Sequence, residues 1–210
     1  FTGSKAAAGP TSDTVVASAI PNMISHILAS FAPVVAGPAT ADDFVPVSLF
    51  KTFAGPSNYR AYGSSYRTLP NATDACAFVD PAVGTDINVD IPVGSTFVAA
   101  YMYWSGSGDD DLAQTDSDVT LVDPSLTSFG ISADETFLIK NVGGGNNLDF
   151  FTGYKDVSAI VNANGIYTMQ DLTAQSGVPW QTTSACAAGW ALVVVFENPL
   201  EEIKVLNLFH

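Results

Sequence analysis

Thr96-Phe97-Val98-Ala99-Ala100-Tyr101-Met102-Tyr103-Trp104 is the stretch whose reading decides the fold. In an extended chain, successive side chains point to opposite faces. Phe97, Ala99, Tyr101 and Tyr103 then share one face, and Val98, Ala100, Met102 and Trp104 share the other. Neither set is polar, so the strand is expected to lie centrally and to be covered on both sides. Trp190–Phe196 is apolar throughout in the same way. Ile203–Phe209 alternates better, with Lys204 and Asn207 interrupting Ile203, Val205, Leu208 and Phe209.

Around these runs the chain breaks into short strand-like segments separated by Gly, Pro, Asn and Asp. The expected strands are Phe44–Phe53, Tyr59–Thr68, Thr85–Ile91, Thr96–Trp104, Val119–Val122, Glu135–Lys140, Ile166–Leu172, Trp190–Glu197 and Ile203–Phe209. Asp156–Val161 is expected to make one helical turn before an Asn164-Gly165 turn. No fixed-period repeat is present. This pattern predicts an all-β protein, a β-sandwich of jelly-roll type with alternating apolar residues between two layers of sheet.

The first part of the chain reads differently. Residues 1–14 are small and polar, an arm in character, and they lack the basic region and apolar core of a leader, which is expected to be absent or removed. Ile20, Ile24, Ile27, Leu28 and Phe31 then fall on one face of a helix of roughly three turns. Pro21 suits its first turn and Pro33 ends it. The division expected is an N-terminal arm with a short helix over 1–43 and a β-sandwich domain over 44–210. The helix stripe has two possible seats: its own domain, or a neighbouring copy of the chain.

Composition narrows the function. The chain is 47% hydrophobic and 13% charged, too apolar for disorder, and 210 residues suffice for one large β domain. Its 21 acidic and 7 basic residues give a formal charge of −14. Nucleic-acid binding is excluded, because it needs Lys and Arg to replace phosphate counterions. Anionic membrane surfaces are disfavoured on the same ground. No apolar run is long enough for a transmembrane segment.

Cys76 and Cys186 lie too far apart for a CxxC redox or zinc motif. They are either a structural disulfide, pointing to an extracellular or cell-surface location, or two buried thiols. A bridge closing so long a loop would stabilise the fold by about 4–5 kcal/mol in the chain-entropy model.

Chemistry-bearing motifs are few. His26 and His210 are the only histidines, so no Ser-His-Asp or Cys-His arrangement can form within the β region. HExxH, P-loop and GxSxG patterns are missing, and spacing nominates no carboxylate pair of glycosidase type. The chain is therefore expected to be non-enzymatic. Asp109, Asp110, Asp111, Asp116 and Asp118 place five carboxylates within ten residues. Such a cluster either stays solvated or is bridged by Ca2+, though it lacks the EF-hand order. Elsewhere Asp supplies turns and solubility. Gly143-Gly144-Gly145-Asn146-Asn147 is expected to be a flexible turn and not a phosphate cradle, since no Lys follows it. Trp104, Trp180 and Trp190, with seven tyrosines, could stack on surface glycans or fill the core. Asn71-Ala72-Thr73 matches a glycosylation acceptor.

Ile91-Pro92-Val93-Gly94-Ser95-Thr96, running into Ala100–Gly108, carries a resemblance. So do Gly165-Ile166-Tyr167-Thr168 through Asp171-Leu172, and Gly189–Pro199. Together they resemble the N-terminal β module of large secreted or surface-anchored bacterial proteins, which commonly precedes the repeat domains of adhesins and matrix proteins. The resemblance runs from about Pro46 to His210. It implies a structural or adhesive role at the cell surface, as in a filament, a biofilm matrix or an adhesin head, and brings no catalytic residue. The segment before Phe44 is outside the pattern, and relatives continue past the last strand into a glycine turn. The chain is then a trimmed product, a fragment of a longer protein, or a self-contained subunit that forms a homopolymer by inserting its 1–40 arm into the next copy. The other non-enzymatic expectation is a carbohydrate-binding β-sandwich module.

Overall fold

A computed structural model describes residues 15–16, 47–108, 116–142 and 148–209. Two strands organise it. β5 (Thr96–Gly108) and β11 (Ala188–Glu197) pair antiparallel, Trp104 opposite Trp190, and β11 is buried at every position but Glu197. β3 (Ser57–Ser65), β9 (Leu148–Asp156) and β8 (Glu135–Val142) complete a five-stranded sheet in the order β3-β11-β5-β9-β8.

Each face of that sheet is covered, as the absence of a polar face in Thr96–Trp104 requires. On one side Ala100, Met102, Trp104, Trp190, Leu192 and Val194 form a core with Ile87, Val89, Leu121, Tyr167 and Met169. Those partners belong to a four-stranded sheet, β4 (Thr85–Val89), β10 (Gly165–Gln170), β6 (Asp118–Val122) and β7 (Ser128–Ser132), in the order β4-β10-β6-β7. On the other side Ala99, Tyr101, Tyr103, Tyr154, Val193 and Val195 pack with Leu206 and Leu208 of β12 (Lys204–Phe209), and with Phe50 and Phe53 of β2 (Leu49–Gly55). A two-residue strand, β1 (Val15–Val16), pairs parallel with β12 and completes a three-stranded sheet, β1-β12-β2. The architecture is all-β and sandwich-like, with three sheets where two were expected. The third exists because β5 and β11 have two apolar faces to bury, about 25 cal/mol for each Å² withdrawn from water.

The expected helix stripe Ile20, Ile24, Ile27, Leu28 and Phe31 lies outside the described residues, as does most of the 1–43 arm. Val15–Val16, within that arm, is the part seen joined to the body. Among the described residues one short helix, α1 (Asn71–Asp74), stands between β3 and β4 and holds the Asn71-Ala72-Thr73 acceptor pattern at its start.

Three strands escape the sequence reading, β1, β7 and β9. β9 contains Gly153, and a Cβ there would lie 2.3 Å from Cε2 of Trp104. Glycine weakens a strand's signal, yet here only glycine lets the indole lie flat across the sheet. Gly153→Ala is expected to destabilise the protein by about 1–3 kcal/mol, the usual cost of overpacking, read as a lowered denaturant midpoint. Tyr103 tests the outer face. Its hydroxyl is buried without a hydrogen-bond partner, and burial pushes its pKa far up. Tyr103→Phe removes an unsatisfied polar atom and is expected to leave the melting temperature unchanged or raised, and a clear fall would mean the hydroxyl is satisfied after all.

Candidate functional site

The expected acidic site sits where β5 ends and β6 begins. Asp109, Asp110 and Asp111 lie outside the described residues, whereas Asp116 and Asp118 are placed. Asp116 is clamped twice: its carbonyl accepts the Trp104 indole N–H at 2.8 Å, and its Oδ2 accepts the Thr173 backbone N–H at 2.5 Å. The core tryptophan of β5 thus fixes the entry to β6. Asp118 Oδ1 and Oδ2 accept from the hydroxyls of Ser132 and Ser117, at 2.5 and 3.0 Å. Both carboxylates hold the local backbone and the β6–β7 pair together. Among the described residues no three His, Cys, Asp or Glu side chains form a metal-ligating group.

Their electrostatics differ. Burial raises the Asp116 carboxyl above its ordinary value, partly offset by the N–H groups of Thr173 and Asp118. Hydrogen bonds from Ser132 and Ser117 hold Asp118 below its own. Elsewhere the Arg60 guanidinium lowers Asp90, Ser125 and the Thr127 N–H lower Asp123, Lys155 lowers Asp134, and Asn58 with Lys204 lowers Glu201.

Close by, the long connection from β10 to β11 folds over the end of the five-stranded sheet. Trp180 donates its N–H to the Asp149 carbonyl at 3.1 Å, and buried Ser107 holds this connection through Gln175 and Ala187. Cys186 lies here and forms a disulfide with Cys76. The bond settles the choice between bridge and free thiols. Leu148, Phe150, Trp180, Ala185 and Ala187 make a small third core around it.

The three tryptophans considered for glycans are spent internally. Trp104, Trp180 and Trp190 are all buried, and each donates its N–H inside the protein, Trp190 to Thr85 Oγ1 at 3.0 Å. No tryptophan face is left to stack on a sugar.

Sequence reasoning missed two asparagines that organise the other end of the molecule. Asn164 pairs through Oδ1 and Nδ2 with the backbone N–H and carbonyl of Ile91, both at 2.9 Å. Buried Asn198 donates to Ser95 Oγ at 2.9 Å and Val93 O at 3.4 Å, and accepts from the Leu200 N–H. Each precedes a turn residue, Gly165 or Pro199, which marks a turn but not a cross-link between loops.

No family model, curated protein or solved structure matches this chain.

Asp116 gives a pH test with a definite sign. A carboxyl whose folded pKa is raised favours the protonated folded state, so its contribution improves as pH falls through that raised value. Asp116→Asn removes the charge and keeps an acceptor for Thr173. The melting temperature of the variant minus that of the parent is expected to be greater at pH 7 than at pH 3. The opposite trend would show that the two backbone N–H groups outweigh burial.

Proposed function

We propose that this chain is a non-catalytic building block of an extracellular or cell-surface assembly, a filament, matrix or adhesin head, that joins copies through its N-terminal arm. The observation that carries this reading is the path of the arm. Val16 pairs with Asn207 and Leu49 with Phe209, so the chain departs from the outer sheet and returns to it at one and the same end. Residues 17–46 connect these two points and include the expected stripe Ile20, Ile24, Ile27, Leu28 and Phe31. A segment so tethered can reach a neighbour while its own β1 and β2 stay in place.

Three further observations support the role. The disulfide suits an oxidising compartment, where no thioredoxin or glutathione reopens it. The aromatic surfaces and buried polar groups are used to lock sheets together, which suits a load-bearing module. The topology supports a jelly-roll-type sandwich with additions. Taking β3 to β7 and β9 to β11 as eight strands in chain order, one sheet runs 1-8-3-6 and the other 2-7-4-5. Two interlocked Greek keys produce that alternation. β8 extends the first sheet, and the β1-β12-β2 sheet is laid on its outer face. The resemblance to N-terminal modules of surface-anchored bacterial proteins fits the same role.

The reading makes the arm indispensable for association and dispensable for folding. The full chain is expected to show a mass that rises with concentration above its 21.9 kDa. A chain lacking residues 1–43 is expected to keep its β-type circular dichroism and remain monomeric in light scattering. Undiminished association of the truncated chain would end the proposal.

A further inference from the structure

Five connections meet at one end of the sandwich: β2 to β3, β4 to β5, β6 to β7, β9 to β10 and β11 to β12. The loops there are tied to one another. Asn164 binds the backbone of Ile91, Pro124 packs against Gly165, and Asn198 joins the Val93 loop to the Leu200 loop while its N–H donates to Pro56 O at 2.9 Å. On this fixed frame stand four apolar side chains in water: Val93 at 96% exposure, Leu200 at 92%, Leu126 at 84% and Ile203 at 78%. Single exposed apolar residues are ordinary, but four at one end of the molecule, with the Val93 and Leu200 loops joined through Asn198, are of the kind that marks an interaction site. Leu126 is moreover held at φ +66°, a left-handed conformation unusual for a branched side chain, by an Asp123 carboxylate that accepts from Ser125 and Thr127.

The charges at this end are partly paired. Of the three ion pairs among the described residues, two are here: Arg60 with Asp90 at 2.7 Å and Lys204 with Glu201 at 3.3 Å. Asp123 is occupied by its own loop. Glu197 and Glu202 stay outside these pairs, so the end keeps negative charge and receives an uncharged segment with less repulsion than another acidic surface of a chain of formal charge −14. One stretch of the chain matches it: residues 14–41 contain no Asp, Glu, Lys or Arg, and they carry the apolar stripe.

The attachment points favour a fit between copies. β1 runs parallel to β12, so at Val16 the chain is heading away from Lys204 and from these loops. The return at Leu49 is at the Phe209 end too, and β2 then travels the length of the outer sheet before reaching Gly55 beside them. The stripe is attached at one end of the molecule and the apolar loops stand at the other. We propose that the end formed by Val93, Leu126, Leu200 and Ile203 is the seat for the Ile20–Phe31 stripe of a second copy. This rests on the assembly reading and names its receiving surface. A joint between unlike surfaces at opposite ends does not close on itself as a two-fold dimer does, and it propagates as a filament.

Two full-length variants test it, Leu200→Asp in the seat and Ile27→Asp in the stripe, with Val93→Asp as a second seat variant. Leu200 and Val93 are almost wholly in water, so unchanged melting temperatures are expected. Each variant alone is expected to stay at 21.9 kDa in light scattering while the parent chain grows with concentration. Mixed in equal amounts, Leu200→Asp supplies a sound stripe and Ile27→Asp a sound seat, so pairs form and growth stops at two chains. Growth of Leu200→Asp and Val93→Asp like the parent, with Ile27→Asp arrested, would overturn the seat and leave assembly through the arm standing. A mixture that stays monomeric would overturn the seat as well. A parent chain monomeric at every concentration would remove both proposals. Sedimentation of the parent with phosphatidylcholine vesicles, lost in Leu200→Asp while chain association is unaffected, would assign the loops to a lipid surface and overturn the proposal.

Discussion

Burial of both faces of the β5–β11 pair is the interaction on which the rest of the structure depends. A strand pair with one apolar face needs one partner layer, and a pair with two needs two. Met102, Trp104, Trp190 and Leu192 drive the four-stranded sheet onto one side, while Tyr101, Tyr103, Val193 and Val195 hold β2 and β12 on the other. The chain ends on β12 within the described residues, and β1 joins that strand's free edge, so the arm is anchored through the layer that the tyrosine face demands. Where β2 and β12 run out, the β10–β11 connection takes over the cover, pinned by the Cys76–Cys186 disulfide and by Trp180.

The two faces are finished differently. The inner one is closed by large rings whose polar atoms are satisfied: Trp104 on Asp116, Trp190 on Thr85, and Tyr66, whose hydroxyl reaches the Met169 carbonyl. Each of these bonds runs from the five-stranded sheet to the opposing sheet or to the loop that enters it, so they fix the alignment of the layers as well as filling space. The outer face is a cluster of Phe50, Tyr101, Tyr103 and Tyr154 in edge-on, tilted and stacked contacts, with ring centroids 5.2 to 6.2 Å apart. Such contacts are worth about 0.5–1.5 kcal/mol each beyond area burial, but they specify orientation less sharply than a hydrogen bond does. The layer added by the chain's two ends rests on the more forgiving of the two surfaces.

Much of this was legible in the sequence. Thr96–Trp104 and Trp190–Phe196 declared themselves two-sided strands, the turn residues bounded most of the others, and two distant cysteines in a Lys-poor chain suggested the bridge. The third layer was not legible, because a pattern apolar on both faces says that cover exists without saying what supplies it. β9 was obscured by Asp149 and Gly153, residues that depress strand character, and the justification of the glycine is tertiary: it makes room for an indole from β5. Asp116 and Asp118 drew attention as metal ligands, yet their placed roles are to hold a backbone turn and a hairpin. Carboxylate clusters are ambiguous for that reason: an Asp that caps a turn and one that binds a cation have the same neighbours in sequence.

The charge distribution connects architecture to association. With so few basic residues, each ion pair is a local choice about where the acidic body becomes approachable. Lys155 meets Asp134 on the flank, where it braces the strand entering from β7, and Arg60 and Lys204 are both committed to the loop end that also carries the exposed Val93 and Leu200. The acidic cluster and the disulfide-bound connection are gathered at the other end of β5. A uniformly acidic body suppresses side-by-side contact, because Asp-rich flanks facing each other repel across any gap shorter than the screening length of about 8 Å at physiological salt. Under the proposed assembly, a joint made by the uncharged residues 14–41 lets copies meet without bringing two acidic surfaces together.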